Sequence, residues 1–263
     1  MTTTPHPLDL EQTTYSYIER PNCVLLAMLD QHVLSSHADA RIVDVGCGAG
    51  ATARALLRRH PGVEIHGVEP NARAAELARQ GGVRVFHGML DGWIAQKPEG
   101  RFDAVVLGDV LEHASDPVRF LRELLEFEGT RDATFIVSVP NYAVWYNRLL
   151  TALGVFDYAW SGLYDRTHVR FFTRRSLGRL LRYLGLEPIE MRASPSIVQP
   201  IAPLIRRLFF TEKVAAGEHL ELNEWKSFQL YSRLVEPAET VLCNLWPGLL
   251  GFQIVVAARR AGA

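Results

Sequence analysis

The chain is poor in cysteine and has no long uninterrupted run of apolar residues. Its cysteines are Cys23, Cys47 and Cys243, and their wide spacing matches no metal-binding or redox pattern, which favours a reducing compartment. No apolar run approaches the roughly 18 residues that indicate a membrane span. The first residues lack a basic stretch followed by an apolar one, so no secretory signal is predicted. We therefore expect a cytoplasmic protein without a transmembrane segment.

An excess of charge of one sign is also missing, because the 263 residues carry a formal net charge of only −1. Proteins that bind nucleic acid usually present a marked basic excess, so no nucleic-acid partner is expected. Arginines do cluster between 166 and 182. Most of them fit the polar side of helices, but a local anionic substrate such as a phosphate or a nucleotide-sugar stays open.

The most informative segment is 41–50, RIVDVGCGAG, in which an apolar strand runs directly into a glycine-rich turn. Gly46, Gly48 and Gly50 allow the backbone to turn sharply and to approach a ligand closely. A helix is predicted to follow at 51–59, and the N–H groups of its first turn are free to bind a ligand. The segment therefore predicts a nucleotide-type site on an α/β sheet.

The details of this turn disfavour a dinucleotide. The pattern G-x-G-x-x-G is met only loosely, because Ala51 stands at the third glycine position. Asp44 would oppose a pyrophosphate, whereas it suits a cation such as the ammonium group of a methionine moiety. The pattern VDVGCGAG resembles the first motif of class I S-adenosylmethionine-dependent methyltransferases. An NAD(P) site and a glycine turn that binds nothing are the alternatives.

Further signals follow at the spacing that this family requires. Glu69 ends a predicted second strand and is placed to accept hydrogen bonds from ribose hydroxyls. The family often has an acid after the third strand, but Met89 and Leu90 follow Gly88 here, so we expect apolar contact and backbone N–H groups to hold the adenine, with Asp91 as the other candidate. The resemblance implies cofactor contacts at Asp44, Gly46, Cys47, Gly48, Gly50, Glu69, Pro70, Met89, Leu90, Gly108 and Asp109.

Strands and helices are predicted to alternate along the chain. Strand signals lie at 41–45, 64–68, 83–87, 102–107, 133–138, 187–192 and 251–259. Helical patterns lie at 51–59, 71–80, 117–127, 144–153 and 174–184, and one or two helices precede the first strand between about 10 and 37. The alternation predicts an α/β, doubly wound, mostly parallel sheet. The resemblance implies a Rossmann-like seven-stranded methyltransferase sheet, in which strand seven runs antiparallel between strands five and six.

The predicted organisation has an N-terminal helical cap at 1–40, a cofactor-binding core at 41–192, an insertion at 193–250 and a last strand and tail at 251–263. The insertion of about 58 residues is too long for a structureless loop in a compact domain. We interpret it as a helical cap over the substrate side. The alternatives are a packing or dimerisation element and, for 204–210, peripheral contact with a membrane surface.

A second constellation leaves the fourth predicted strand with the sequence GDVLEHASDP. Asp116 is expected to cap the next helix, with Pro117 at its first position. If the intervening segment is helical, Asp109, Glu112 and His113 lie close together. The segment closely matches the motif Leu-Glu-His-x-x-Asp-Pro of this family. The segment THVRFFT is also characteristic of the methyltransferase subgroup, and this resemblance implies that His168 returns toward the active site.

Two chemical roles stay open for this constellation. Related small-RNA 2′-O-methyltransferases, and in part the ubiquinone-pathway O-methyltransferases, hold a divalent metal with Glu-x-x-Glu-His and a distant His. Asp109, Glu112, His113 and His168 match that set as ligands for Mg²⁺ or Mn²⁺, with Asp in place of the first Glu. Alternatively, His113 or His168 is a catalytic general base. A role of Glu112 and His113 in bracing the loop is the third interpretation.

Aromatic residues follow the fifth predicted strand, where acceptor pockets form in this family. They are Tyr142, Tyr146, Tyr158, Trp160 and Tyr164. Such a loop suits a sugar ring, a phenol or a quinone. The resemblance thus implies an S-adenosylmethionine-dependent methyltransferase that methylates the oxygen of a small-molecule or saccharide hydroxyl. The alternatives are a quinone-like phenol or an amine as acceptor, and a non-catalytic cofactor-binding module.

Overall fold

The computed structural model describes residues 18–19, 21–159, 162–195, 220–221, 233–234 and 236–262, and a seven-stranded sheet forms its centre. In chain order the strands are β1 (Ile18–Glu19), β2 (Arg41–Val45), β3 (Glu64–Glu69), β4 (Arg84–His87), β5 (Ala104–Gly108), β6 (Thr134–Pro140), β7 (Leu186–Pro195), β8 (Leu220–Glu221) and β9 (Gly251–Arg260). The sheet order is β4-β3-β2-β5-β6-β9-β7, whereas β1 and β8 pair separately. β9 is antiparallel to both β6 and β7, which confirms the predicted placement of the last strand.

Helices cover both faces of the sheet. They are α1 (Cys23–Leu29), α2 (Ala51–Arg59), α3 (Ala72–Gln80), α4 (Leu90–Ala95), α5 (Pro117–Glu126), α6 (Trp145–Ala152), α7 (Arg174–Tyr183), α8 (Glu236–Leu245) and α9 (Pro247–Leu250). α1, α2 and α3 pack on one face, whereas α4, α5 and α7 pack on the other. The central strand β5 contributes alternate residues to the two cores, so it is apolar throughout, as buried parallel strands are.

Local capping signals explain where several helices begin. Asp116 accepts a hydrogen bond from the Arg119 N–H at 3.0 Å and Pro117 occupies the first helical position, as predicted. Thr173 caps α7 and exchanges hydrogen bonds with Ser176 in a capping box, so the predicted start of that helix is also confirmed. A hydroxyl or carboxylate at these positions satisfies N–H groups that the helix itself leaves unpaired.

The structure differs from the sequence prediction in three places. The six-residue helix α4 was not predicted, because it is too short to show a helical period. The sixth strand of the sheet, β7, extends to Pro195, three residues past its predicted end at 192 and into the predicted insertion. The N-terminal region contains α1, as predicted, but α1 continues into a π-helical turn at Asp30–Leu34 that was not predicted; residues 1–17 and most of the insertion lie outside the described residues.

In the part of the chain that the structure describes, no helix combines the length and the apolar character needed to cross a bilayer.

Candidate functional site

A cavity of about 490 Å³ opens at the carboxyl ends of β2 and β5, where the strand order of the sheet reverses. This is the position at which open α/β sheets bind ligands. The glycine turn after β2 and the end of β5 form one side of the cavity, and the start of α1 with the ends of β7 and β9 form the other.

The glycine turn adopts a backbone that only glycine accommodates well. Gly46, Gly48 and Gly50 have φ values of 71°, 55° and 84°, in the left-handed region. A Cβ atom at Gly46 would also lie 2.7 Å from Cγ2 of Val110. The sequence therefore needs glycine here both for the turn itself and for close packing against the segment that follows β5.

Glu69 ties the end of β3 to this turn. The residue is 6% exposed, and its carboxylate accepts hydrogen bonds from the N–H of Gly48 at 2.9 Å and from the N–H of Asn71 at 2.8 Å. The two bonds use different oxygens, so the carboxylate fixes the glycine turn and the segment after β3 relative to each other.

The predicted cofactor contacts divide into two groups. Asp44, Gly46, Cys47, Gly48, Gly108 and Asp109 line the cavity, whereas Gly50, Glu69, Pro70, Met89 and Leu90 do not. Leu90 is 5% exposed and packs in the hydrophobic core under α4, so its side chain is not available to a ligand. Met89 is 65% exposed and keeps the apolar surface that an adenine ring would need.

Asp109 faces the cavity from an unusual backbone conformation, with φ at 56°. Its carboxylate accepts hydrogen bonds from Oγ of Ser138 at 3.0 Å and from Nε2 of Gln253. Burial raises the pKa of Asp109 to about 6, although both hydrogen bonds act to lower it. Sequence reasoning missed Ser138 and Gln253, because no local motif marks two polar residues on separate strands.

A second cluster lies beyond the cavity rim. One ligand atom each of Glu112, His113 and His168 falls within 4.8 Å of the others. The backbone carbonyl of Glu112 accepts hydrogen bonds from the N–H groups of Val169, at 2.8 Å, and Arg170, at 3.0 Å, which brings the distant His168 to the Leu-Glu-His turn. The imidazole rings of His113 and His168 stand edge to face, with centroids 4.9 Å apart.

Both imidazoles use the same nitrogen for a hydrogen bond to the backbone. His113 Nδ1 lies 3.2 Å from the carbonyl oxygen of Thr167, and His168 Nδ1 lies 3.2 Å from that of Leu163. A carbonyl only accepts, so each Nδ1 donates, and the neutral ring keeps a lone pair on Nε2. Histidines that bind metals are usually oriented in this way.

The charges of the cluster are unbalanced. Glu112 is 1% exposed, and neither of its carboxylate oxygens has a hydrogen-bond partner in the described part of the chain. Burial, reinforced by the nearby Asp109 carboxylate, raises the pKa of Glu112 well above its usual value. Burial also lowers the pKa of His113 and His168. A divalent cation would supply the missing positive charge, so the residues present fit a metal.

Asp109 does not join this cluster. The sequence grouped it with Glu112 and His113 on the condition that the segment is helical, but residues 110–116 contain no helix and 111–113 form a turn. The Asp109 carboxylate is instead bonded to Ser138 and Gln253 in the cavity. Three of the four predicted metal ligands are therefore brought together, and the fourth belongs to the cavity.

Aromatic side chains from the segment between β6 and α7 form a further cluster. Phe156 contacts Tyr158, Tyr164 and Phe171, with centroid distances of 5.5, 4.9 and 6.4 Å, and Tyr142 lies 4.8 Å from Phe171. Phe156, Tyr158 and Phe171 are each about two-fifths exposed. Trp160, which was grouped with these residues from the sequence, lies outside the described residues.

Comparison with known proteins identifies the family of this chain. Residues 19–191 match a family model described as a methyltransferase domain. The chain is 28% identical over 162 residues to a ubiquinone biosynthesis O-methyltransferase of Ralstonia nicotianae, covering 59% of this chain and 66% of that protein. It is 32% identical over 140 residues to a trans-aconitate 2-methyltransferase of Pseudomonas paraeruginosa, covering 51% of this chain and 47% of that protein.

Solved structures show the same fold. A SAM-dependent methyltransferase from Archaeoglobus fulgidus superimposes with a TM-score of 0.53 at 19% identity, covering 90% of this chain and 93% of that one. The geranyl diphosphate C-methyltransferase of Streptomyces coelicolor gives the same TM-score at 15% identity, covering 90% and 77%.

Proposed function

Because the chain belongs to the class I S-adenosylmethionine-dependent methyltransferase family, we propose that it transfers a methyl group to a hydroxyl oxygen of a small-molecule or saccharide acceptor. The observation that carries the choice of oxygen is the cluster of Glu112, His113 and His168. A hydroxyl must lose a proton to become a good nucleophile, and this cluster holds groups suited to that task.

We assign the ends of the cofactor from the contacts around the glycine turn. Asp44 lies in the cavity wall and suits the ammonium group of the methionine moiety. Glu69, whose carboxylate lies at the end of β3 beside the glycine turn, suits the ribose hydroxyls, and exposed Met89 offers apolar surface to the adenine. The methyl group itself is already activated by the sulfonium, so the protein mainly has to align the acceptor with it.

Replacing Glu69 by alanine should weaken the binding of S-adenosylhomocysteine by about 1–3 kcal/mol, because the ribose hydroxyls lose their acceptor. Isothermal titration calorimetry measures this directly. Glu76→Ala, which removes an exposed carboxylate from α3, is the matched control and should bind as the wild type does. Unchanged affinity of the Glu69 variant would refute the ribose role.

Glu112, His113 and His168 would hold a divalent metal through a carboxylate oxygen and the two Nε2 atoms. Two imidazoles beside one carboxylate favour Mn²⁺ over Mg²⁺, since imidazole is the softer ligand. A metal bound there would act as a Lewis acid that lowers the pKa of an acceptor hydroxyl. Without a metal, Nε2 of His113 or His168 is the general base, because burial keeps both rings neutral near neutral pH.

Chelation should separate these two mechanisms. If the cluster holds a metal, EDTA should lower turnover at least about tenfold, and added Mn²⁺ should restore it. Electron paramagnetic resonance of free Mn²⁺ gives a readout that does not depend on activity, since the wild type should take up the ion and His168→Ala should not. Full activity in EDTA together with no uptake of Mn²⁺ would leave the general base as the working mechanism.

The acceptor is best matched by a ring compound. Exposed faces of Phe156, Tyr158 and Phe171 suit stacking against a sugar or a phenol, and the segment that carries Phe171 also carries His168. A quinone-like phenol is the second candidate, because these exposed residues are apolar and relatives are named as ubiquinone biosynthesis O-methyltransferases. Parallel assays with radiolabelled cofactor on saccharide and catechol acceptors distinguish the two.

A further inference from the structure

Two carboxylates, those of Asp44 and Asp109, face the same cavity. Among the described residues, no lysine, arginine or histidine lines this cavity. The partners of the Asp109 carboxylate are the hydroxyl of Ser138 and the amide of Gln253, which are both neutral. Asp109 therefore presents a negative charge to the ligand that no described side chain cancels.

The position of this carboxylate is set by a directional chain of amides. Oδ1 of Asn22 accepts hydrogen bonds from the N–H groups of Val24 and Leu25, both at 3.1 Å, and so caps α1. The amide nitrogen of Asn22 is then free to donate to Oε1 of Gln253, at 3.2 Å. Gln253 in turn directs its own amide nitrogen at Asp109, so the Asn22 cap determines which end of Gln253 meets the carboxylate.

The backbone of Asp109 is held as tightly as its side chain. Its left-handed conformation is rare for residues other than glycine and persists where surrounding contacts enforce it. The Asp109 N–H donates to the carbonyl oxygen of Ser138 at 3.1 Å, beside the hydroxyl contact from the same residue. Such a residue is pre-organised before the ligand arrives, which is what electrostatic recognition requires.

S-adenosylmethionine carries two positive centres, an ammonium and a sulfonium, whereas S-adenosylhomocysteine carries only the ammonium. When the methyl group leaves, the electron pair of its bond to sulfur stays on the sulfur, and the sulfonium becomes a neutral thioether. The ammonium is already assigned to Asp44. The second carboxylate of the cavity, that of Asp109, is therefore available to the sulfonium, whose positive charge disappears in the reaction.

We propose that Asp109 is the counter-charge for the sulfonium and that Gln253 and Asn22 position it, so that the site distinguishes the charged cofactor from its neutral product. Asp109 then favours loading of S-adenosylmethionine and release of S-adenosylhomocysteine. This assignment concerns the cofactor alone and does not depend on which acceptor is methylated.

Calorimetry with three ligands and no acceptor tests the assignment. The ligands are S-adenosylmethionine, sinefungin, which has an amine-bearing carbon in place of the sulfonium, and S-adenosylhomocysteine. Asp109→Asn should weaken the two ligands that carry a charge near this position about tenfold and should leave S-adenosylhomocysteine within about twofold. Asp44→Asn is the matched control and should weaken all three ligands alike, because all three keep the ammonium.

Gln253→Leu provides a second test that leaves the carboxylate in place but removes the group that orients it. It should reduce the preference for S-adenosylmethionine over S-adenosylhomocysteine in the same direction as Asp109→Asn, and by less. A structural role would instead change the affinities for all three ligands together. Equal weakening of the three ligands, or an unchanged preference, in whichever of these two variants folds by circular dichroism, overturns the proposal.

Discussion

Replacing His168 by alanine should lower turnover by about 10²–10⁴-fold while S-adenosylhomocysteine binds as tightly as before. The expected loss is large because His168 belongs to the cluster with Glu112 and His113, whether its imidazole binds a metal or takes a proton. The cofactor should be unaffected, because His168 does not line the cavity beside the glycine turn. Steady-state kinetics and calorimetry on the same preparation measure the two quantities.

His113→Ala should behave in the same way, since its ring is oriented by the Thr167 carbonyl as that of His168 is by Leu163. His37→Ala removes an exposed imidazole far along the chain from the cluster and should keep full activity. If both cluster variants retain the wild-type rate, neither the metal nor the general base operates at this site.

Replacing Glu112 by methionine should abolish most of the activity and, in the presence of EDTA, make the protein more stable by about 1–3 kcal/mol. The buried carboxylate has no hydrogen-bond partner among the described residues, so it destabilises the folded protein when no metal is bound. Methionine is of similar size and removes both unpaired oxygens. Urea unfolding of the two proteins, each in EDTA, gives the difference in the free energy of unfolding.

The stability difference should also depend on pH. The folded-state pKa of Glu112 is raised, so the carboxyl stabilises the fold below its unfolded pKa and loses that contribution as pH rises toward the folded value. The advantage of Glu112→Met should therefore grow from acid toward neutral pH, and Mn²⁺ should reverse it if a metal binds. If the methionine variant is less stable than the wild type in EDTA at neutral pH, the change in side-chain packing affects stability more than the removal of the buried charge does.

Much of the cofactor site could be predicted from the sequence because its parts are local. The helix after the glycine turn was predicted at 51–59 and is observed as Ala51–Arg59, since a run of glycines and then of good helix formers leaves few alternatives. The caps at Asp116 and Thr173 could be predicted too, because each depends on residues within the first turn of its own helix. Glu69 was singled out because it ends a strand soon after the glycine-rich segment, and in the structure it accepts a hydrogen bond from the N–H of Gly48 in that turn.

The grouping of residues across the fold could not be predicted in the same way. Sequence spacing placed Asp109 with Glu112, but the turns after β5 point the Asp109 carboxylate into the cavity and bury Glu112 elsewhere. Ser138 meets Asp109 because β6 pairs with β5, and Gln253 does so because β9 returns antiparallel beside β6.

The sequence by itself therefore determined the glycine turn and most of the strands and helices, because these depend on short-range backbone preferences and on hydrophobic period, while the resemblance of its motifs indicated the family. Only the tertiary structure decided which polar side chains share a site. It placed Asp109 with Gln253 and left Glu112 with His113 and His168, because hydrogen bonding and burial depend on neighbours that are distant along the chain.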